Sequence, residues 1–324
     1  MALFRPFPGV LAPAILAALA FVQAIAEPYP SRPIRIIVPN ASSGLADITT
    51  RIVAARLADS LGQQVIVENR PGAGGTIGTA AAVRAAPDGY TLLAIFDSHA
   101  TNPHLFKNLE YDTLADLAPI SLLVRGPLVL VVGPRLRVEG VAEFVALAKS
   151  KPGAINFATV GPGSPARLLM ELLKLEAGID VTMVPYKGAG LALGDLVGGQ
   201  VDAMFATVPS VRSHLRAGRL HALAVTSGKR SDAVPGVPTM SETFPGFVSE
   251  AWVGLLAPVK TPPEIIARLN TAVVGILGRP EIRARFAEQG LETVGSTPQQ
   301  LDRWIHAEFG RWGGVIREQK ISIE

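Results

Sequence analysis

Repeatedly in this 324-residue chain, glycine, serine or threonine joins the end of a β-branched run to the start of a helical pattern: residues 39–47, 70–76, 97–102, 159–164 and 185–190. Each join leaves unpaired backbone N–H groups at a helix N-terminus, where the helix dipole favours an anion by about 0.3–1 kcal/mol when exposed and up to about 2 when partly buried. Several such termini converging on one cleft can hold a carboxylate without a cationic side chain. Gly44, Gly74, Gly75, Gly161, Gly163, Gly188 and Gly190 let the backbone approach a ligand, or simply serve tight turns.

Other chemistries fit these residues less well. Gly72-Ala73-Gly74-Gly75-Thr76-Ile77-Gly78 follows a strand and precedes a helix, and Asp97 ends the next strand where a ribose-binding acid would stand. Its spacing, however, is G-x-G-x-x-x-G rather than the dinucleotide G-x-G-x-x-G, and it follows the second strand. Gly161-Pro162-Gly163-Ser164-Pro165-Ala166 is not a G-x-S-x-G elbow, and Ser164 reads as the N-cap of the helix that follows. The five histidines form no H-x-x-x-H pair and there is no cysteine, so no metal site, cofactor or thiol nucleophile is expected. Asp47, in a first helical turn, complements the dipole, with a catalytic role as the alternative.

The elements that must position these loops alternate. Ile34 to Val38 reads as a strand, 46–61 as a helix, 64–68 as a strand, an alanine-rich helix runs through Ala86, and Tyr90 to Phe96 is again a strand. After the apolar run Leu128 to Val132, helices at 141–149, 164–177, 189–197 and 210–217 alternate with strands at 155–158, 181–184, 203–205 and 220–226. Beyond Ser227 come prolines, one strand over 252–257 and then helices, including 263–277 and 280–289, each opening on proline. Strands separated by helices predict an α/β fold with parallel sheets. The chain divides economically into residues 27–125 and 227–324 as one lobe and 126–226 as another. Two crossings, near Gly126-Pro127 and Thr226-Ser227, then form a hinge, and the ligand sits where the carboxyl ends of the strands face each other.

Composition narrows the partners. Thirty Lys plus Arg against 27 Asp plus Glu gives a net charge of +3, with the basic residues scattered, which predicts neither nucleic-acid binding nor a polybasic membrane patch. Arg5, the apolar stretch from Val10 and Ala24-Ile25-Ala26 read as a secretory signal over residues 1–26, cleaved after Ala26. Pro13 interrupts that stretch, and it falls short of the roughly 20 residues that span a bilayer.

Specific stretches carry a resemblance. Tyr29-Pro30-Ser31-Arg32-Pro33-Ile34-Arg35-Ile36-Ile37-Val38-Pro39, Val67-Glu68-Asn69-Arg70-Pro71-Gly72-Ala73-Gly74-Gly75, Ala86-Pro87-Asp88-Gly89-Tyr90-Thr91-Leu92-Leu93 and Val184-Pro185-Tyr186-Lys187-Gly188 resemble the Bug-type receptors of tripartite tricarboxylate transporters. So do Gly198-Gly199-Gln200-Val201, Leu223-Ala224-Val225-Thr226-Ser227 and Val237-Pro238-Thr239. The match runs from about Tyr29 to the C-terminus. It implies a periplasmic binding protein, type II-like, with two α/β lobes closing on a small carboxylate. It also implies delivery of that ligand to a membrane permease, and no catalysis, with an exported enzyme acting on a small carboxylate on the same two-lobe fold as the alternative. A monomer is expected.

Carried over, the family's first ligand loop P-[FY]-x-x-G-G-x-x-D reads here Pro39-Asn40-Ala41-Ser42-Ser43-Gly44-Leu45-Ala46-Asp47, keeping Gly44 and Asp47 but departing at Asn40 and Ser43. Ser98-His99-Ala100, followed by Asn102, is kept. In S-x-G-x-G-[ST]-x-x-H-L, here Thr159 to Leu168, Arg167 replaces histidine; in Met-Phe-Asp, Ala206 replaces aspartate. The resemblance thus implies that Ser42, Ser43, Gly44, Ser98 and His99 hold one end of the ligand and Thr159, Ser164, Tyr186 and Lys187 the other, with Asp47, Gly75, Gly163 and Gly188 in the same loops. Lys187 as a solvated cation and Tyr186 as packing are the alternatives. Both departures make the cleft more positive, which favours a dicarboxylate, aromatic ones included, over an amino acid. Arg167 is then a bidentate donor to the second carboxylate, or points to solvent.

Overall fold

A computed structural model describes residues 28–318, apart from Ser43 and Pro162, together with residues 320–322. The expected signal segment and its cleavage point lie outside the described residues.

The first elements are β1 (Ile34–Val38), α1 (Leu45–Leu61), β2 (Val65–Asn69), α2 (Thr76–Val83), β3 (Thr91–Phe96) and α3 (Ser98–Leu105). A 16-residue strand, β4 (Leu117–Val132), leads to α4 (Val141–Ser150), β5 (Asn156–Val160), α5 (Pro165–Ala177), β6 (Thr182–Tyr186), α6 (Ala189–Val197), β7 (Ala203–Thr207), α7 (Val208–Arg216) and β8 (His221–Val225). The chain ends with β9 (Glu250–Pro258), α8 (Pro263–Leu277), α9 (Pro280–Ala287), β10 (Glu292–Thr293) and α10 (Pro298–Glu318). Local chemistry sets many of the boundaries. Helix α5, for example, is capped by Ser164, starts on Pro165 and stops at Gly178, whose φ of 60° is the left-handed conformation glycine adopts without strain.

The strands lie in the order β2-β1-β3-β9-β4-β7-β5-β6, with β8 and β10 also pairing with β4. Neither half is wholly parallel, which corrects the expectation from simple alternation: β9 runs antiparallel to β3 and β4, and β4 runs antiparallel to β7 and β8. The physical reason is β4 itself. Its first part pairs with β9 and its last five residues with β7 and β8, so one strand serves both halves.

Two cores result. Ile34, Ile36, Leu92, Ala94, Val253 and Leu255 are buried in the first, and Leu130, Phe144, Phe157, Leu168, Leu173 and Phe205 in the second. Met240 and Phe247, in the segment that follows Ser227 and leads back to β9, also pack into the second of these clusters. Its return is pinned by Thr226, whose hydroxyl donates to the Ser249 carbonyl at 2.6 Å and accepts from the Leu128 N–H at 2.9 Å. Helix α10 spans both halves: Leu301 and Ile305 pack with Ile37, Ile95 and Trp252 in a further cluster of the first half, whereas Trp312 and Ile316 pack with Leu168 and Leu169 in the second.

Candidate functional site

Strand directions bring the helix-opening loops together. β4 runs from the first half into the second; β3, antiparallel to β9 as β4 is, shares its direction, and β1 and β2 are parallel to β3. β7 runs opposite to β4, and β5 and β6 follow β7. The carboxyl ends of the two parallel sets therefore face each other across the junction. There stand the N-termini of α1, α2 and α3 on one side and of α5, α6 and α7 on the other, with caps at Gly44, Gly75, Asp97, Ser164, Gly188 and Thr207. This brings together backbone N–H donors and dipoles of one sign, an arrangement suited to an anion.

On the first side Ser98 and His99 are buried, and Ser98 Oγ donates to the Gly74 carbonyl at 3.1 Å. Asn102 Nδ2 donates to the same carbonyl at 3.0 Å, while its Oδ1 is buried without a hydrogen bond. These residues, with Pro39, Gly75, Thr79 and Phe96, line a cavity of about 10 Å³, the size of one water molecule. Gly75, at φ 99°, needs its missing side chain: a Cβ there would meet the Pro39 carbonyl oxygen at 3.3 Å. Burial pushes the His99 pKa down to about 4, so the ring is neutral; it lies against the Thr113 backbone, short of full hydrogen-bond geometry. Ser42 is exposed and Ser43 lies outside the described residues. Asp47 is buried, and its Oδ1 accepts from Arg51 Nε and Asn69 Nδ2, each at 2.9 Å.

On the second side Thr159 is buried near the end of β5, Gly161 has φ 76° and Ser164 Oγ caps α5 by accepting from the Arg167 N–H at 3.3 Å. The Tyr186 hydroxyl donates to Asp195 Oδ2 at 2.7 Å; burial first, then this carboxylate, pushes its pKa up to about 12. Lys187 is exposed beside Gly188. Ala206 is buried in an apolar cluster with Met204 and Val208. Arg167 is half-buried, and its Nη2 donates to the Ser322 carbonyl at 3.0 Å, so the guanidinium holds the C-terminal segment.

The two sides touch through α3. Thr101 Oγ1 donates to the Gly163 carbonyl at 2.7 Å, and a Cβ on Gly163 would come within 2.7 Å of Asn102 Oδ1. Sequence reasoning named Gly163 but not Thr101, which carries no motif of its own. Arg51 and Asn69 were also missed, although the four-residue spacing of Asp47 and Arg51 on a predicted helix is a readable pairing signal.

Two α/β halves with opposed strand ends, a shared strand and helix N-termini converging at the junction define a two-lobed solute-binding protein. The comparisons agree. Residues 49–321 match the model of the tripartite tricarboxylate transporter family receptor. Protein BugT of Bordetella pertussis is 44% identical over 302 residues, 92% of this chain and 93% of BugT. Among solved structures, R. palustris Rpa4515 with adipate is 34% identical with a TM-score of 0.87, covering 90% of this chain and 99% of its own. MatC from Rhodopseudomonas palustris with bound malate is 34% identical with a TM-score of 0.83, covering 89% and 100%. The chain belongs to the tripartite tricarboxylate transporter receptor family, a family of periplasmic solute-binding receptors rather than enzymes. Among the described residues, no helix is long and apolar enough to cross a membrane.

Proposed function

We propose that this receptor is exported, with residues 1–26 removed after Ala26, captures a small dicarboxylate between its lobes as a monomer, and delivers it to the permease of a tripartite tricarboxylate transporter. The lobes of this reading are residues 27–125 with 227–324, and residues 126–226. The observation that carries the ligand class is Ala206: an apolar, buried residue occupies the position where the family pattern has aspartate. Acids in or beside the helix-opening loops are engaged, Asp47 by Arg51 and Asn69, and Asp195 by Tyr186, while Asp97 is buried and pushed by that burial to a pKa of about 8; Glu250, opposite Pro127 at the crossing, is paired with Arg125. An ammonium group would therefore enter without a carboxylate partner, a costly desolvation.

In this reading the backbone amides around Gly44 and Gly75, with Ser42, Ser43, Ser98 and His99, receive one carboxylate. Thr159, Gly163, Ser164, Tyr186, Lys187 and Gly188 receive the other, joined by Arg167 when it exchanges its Ser322 contact for the ligand. Affinity for the closed form over the open form drives closure. The adipate and malate held by the two 34%-identical proteins support a dicarboxylate. A thermal-shift screen with adipate, malate, aromatic dicarboxylates, aspartate and glutamate tests it. A dicarboxylate at 100 times its dissociation constant adds about 2.7 kcal/mol and raises the midpoint by several degrees. Stabilisation by the amino acids alone overturns the proposal.

A further inference from the structure

We infer that Asp47, Arg51 and Asn69 form a positioning device for the β1–α1 loop, setting ligand affinity without touching the ligand. This rests on the reading of the interlobe junction as a carboxylate site. Asp47 is 3% exposed, and its Oδ1 takes two charge-assisted hydrogen bonds, from Arg51 Nε and Asn69 Nδ2, both at 2.9 Å. Arg51 Nη2 donates to Asn69 Oδ1 at 2.8 Å, closing a ring of three side chains. Asn69 Nδ2 also donates to the Asn40 carbonyl at 3.1 Å. The amide oxygen of Asn69 thus faces a guanidinium and its amine faces two oxygens, which fixes the orientation of the group and leaves aspartate unable to replace it.

The placement of the members gives the device its purpose. Asn40 stands in the loop leaving β1, Asp47 and Arg51 lie one turn apart at the start of α1, and Asn69 is the last residue of β2. The ring therefore ties both ends of the loop to the end of the neighbouring strand. Backbone N–H groups hold an anion well only if they already point at it, because ordering them on binding subtracts from affinity. A carboxylate occupied in this way is a brace for the loop, and the two stretches of sequence that carry Asp47 and Asn69 become parts of one structure.

The test uses the purified receptor and its variants Asp47→Ala, Asp47→Asn, Arg51→Ala and Asn69→Ala. Amide hydrogen exchange is measured without ligand, and titration calorimetry with malate and adipate. Asp47→Ala and Asn69→Ala are expected to speed exchange of the loop amides at least tenfold, leave β4 and the second lobe unchanged, and raise the dissociation constant at least tenfold. Asp47→Asn, which keeps an oxygen in place, restores most of both. Arg51→Ala and Asn69→Ala combined lose less than the sum of the single losses. Unchanged loop exchange in Asp47→Ala and Asn69→Ala overturns the inference, and so does lost affinity with unchanged exchange, which would put Asp47 on the ligand itself. A wild-type receptor that binds neither malate nor adipate defeats the dicarboxylate reading, and the exchange comparison still decides for or against the brace.

Discussion

Asp97 and His99 are driven towards neutrality from opposite directions by the same burial. The aspartate rises from 3.8 to about 8, and the histidine falls from 6.5 to about 4. For Asp97 the folded protein binds the proton more tightly, so its contribution to stability is present in full below about pH 4 and is lost as pH rises to about 8. For His99 the unfolded chain binds the proton more tightly, so stability is lost as pH falls from about 6.5 to 4. The two oppose each other in the lower window, and of the two only Asp97 acts above it. Asp97→Asn keeps an oxygen for the Ser98 N–H, which Asp97 caps at 3.0 Å. Its midpoint relative to wild type is therefore expected to rise steadily between about pH 4 and 8 in thermal denaturation, and a flat difference would refute the assignment. At this scale the sequence was legible where a residue acts on its own backbone, as Ser164 does in capping α5. It was not legible where partners lie far apart in the chain: nothing local to Asp47 announces Asn69, and nothing local to Arg167 announces Ser322.

Helix α10 shows how an element can be foreseen as helical while its job stays hidden. Its 21 residues include Gly310, Gly313 and Gly314, near the change from one core to the other. A Cβ at Gly310 or Gly314 meets nothing within 4 Å, whereas one at Gly313 would fall 2.5 Å from His104 Cε1. That ring is fixed, with Nε2 2.9 Å from the Phe309 carbonyl and the Phe309 ring 4.3 Å away. Gly310→Ala and Gly314→Ala are therefore expected to stabilise the protein by about 1 kcal/mol each, by helix propensity. Gly313→Ala is expected to destabilise it by about 1–3 kcal/mol through overpacking. Denaturant titration of the three variants separates these effects. The strand β4 was the opposite case: only Leu128 to Val132 was read as an apolar run, because Pro119, Gly126 and Pro127 look like interruptions. In the sheet, Pro119 stands at a register shift and Pro127 lies opposite the first residue of β9, positions that tolerate a missing N–H.

For the whole molecule, two lobes and a facing pair of strand sets were legible because alternation and loop chemistry repeat twice along the chain. The mixed strand directions were not, since antiparallel pairing through β4 and β9 depends on contacts far apart in sequence. One hydrogen bond, from the Thr101 hydroxyl to the Gly163 carbonyl, joins the first lobe to the loop that opens α5. Thr101→Val keeps the shape and removes the donor. At about 0.5–1.5 kcal/mol for a neutral hydrogen bond, ligand affinity is expected to fall about two- to tenfold. Scattering from the ligand-saturated variant should show a larger radius of gyration than the saturated wild type. Equal affinity and equal scattering would mean that this bond has no part in closure.

The course of α10 has one more consequence. The protein has three tryptophans, and each belongs to this helix or packs on it: Trp304 meets Trp252 edge-on at 6.5 Å beside the Arg125 guanidinium, and Trp312 donates its indole N–H to Glu308 at the other core. Trp252 and Trp304 thus report on the packing of the first half against α10, and Trp312, beside Glu308 and Arg311, on that of the second. In the closure reading proposed above, their intrinsic fluorescence is expected to change when malate or adipate binds, and emission that stays constant at saturation would argue against a movement along α10.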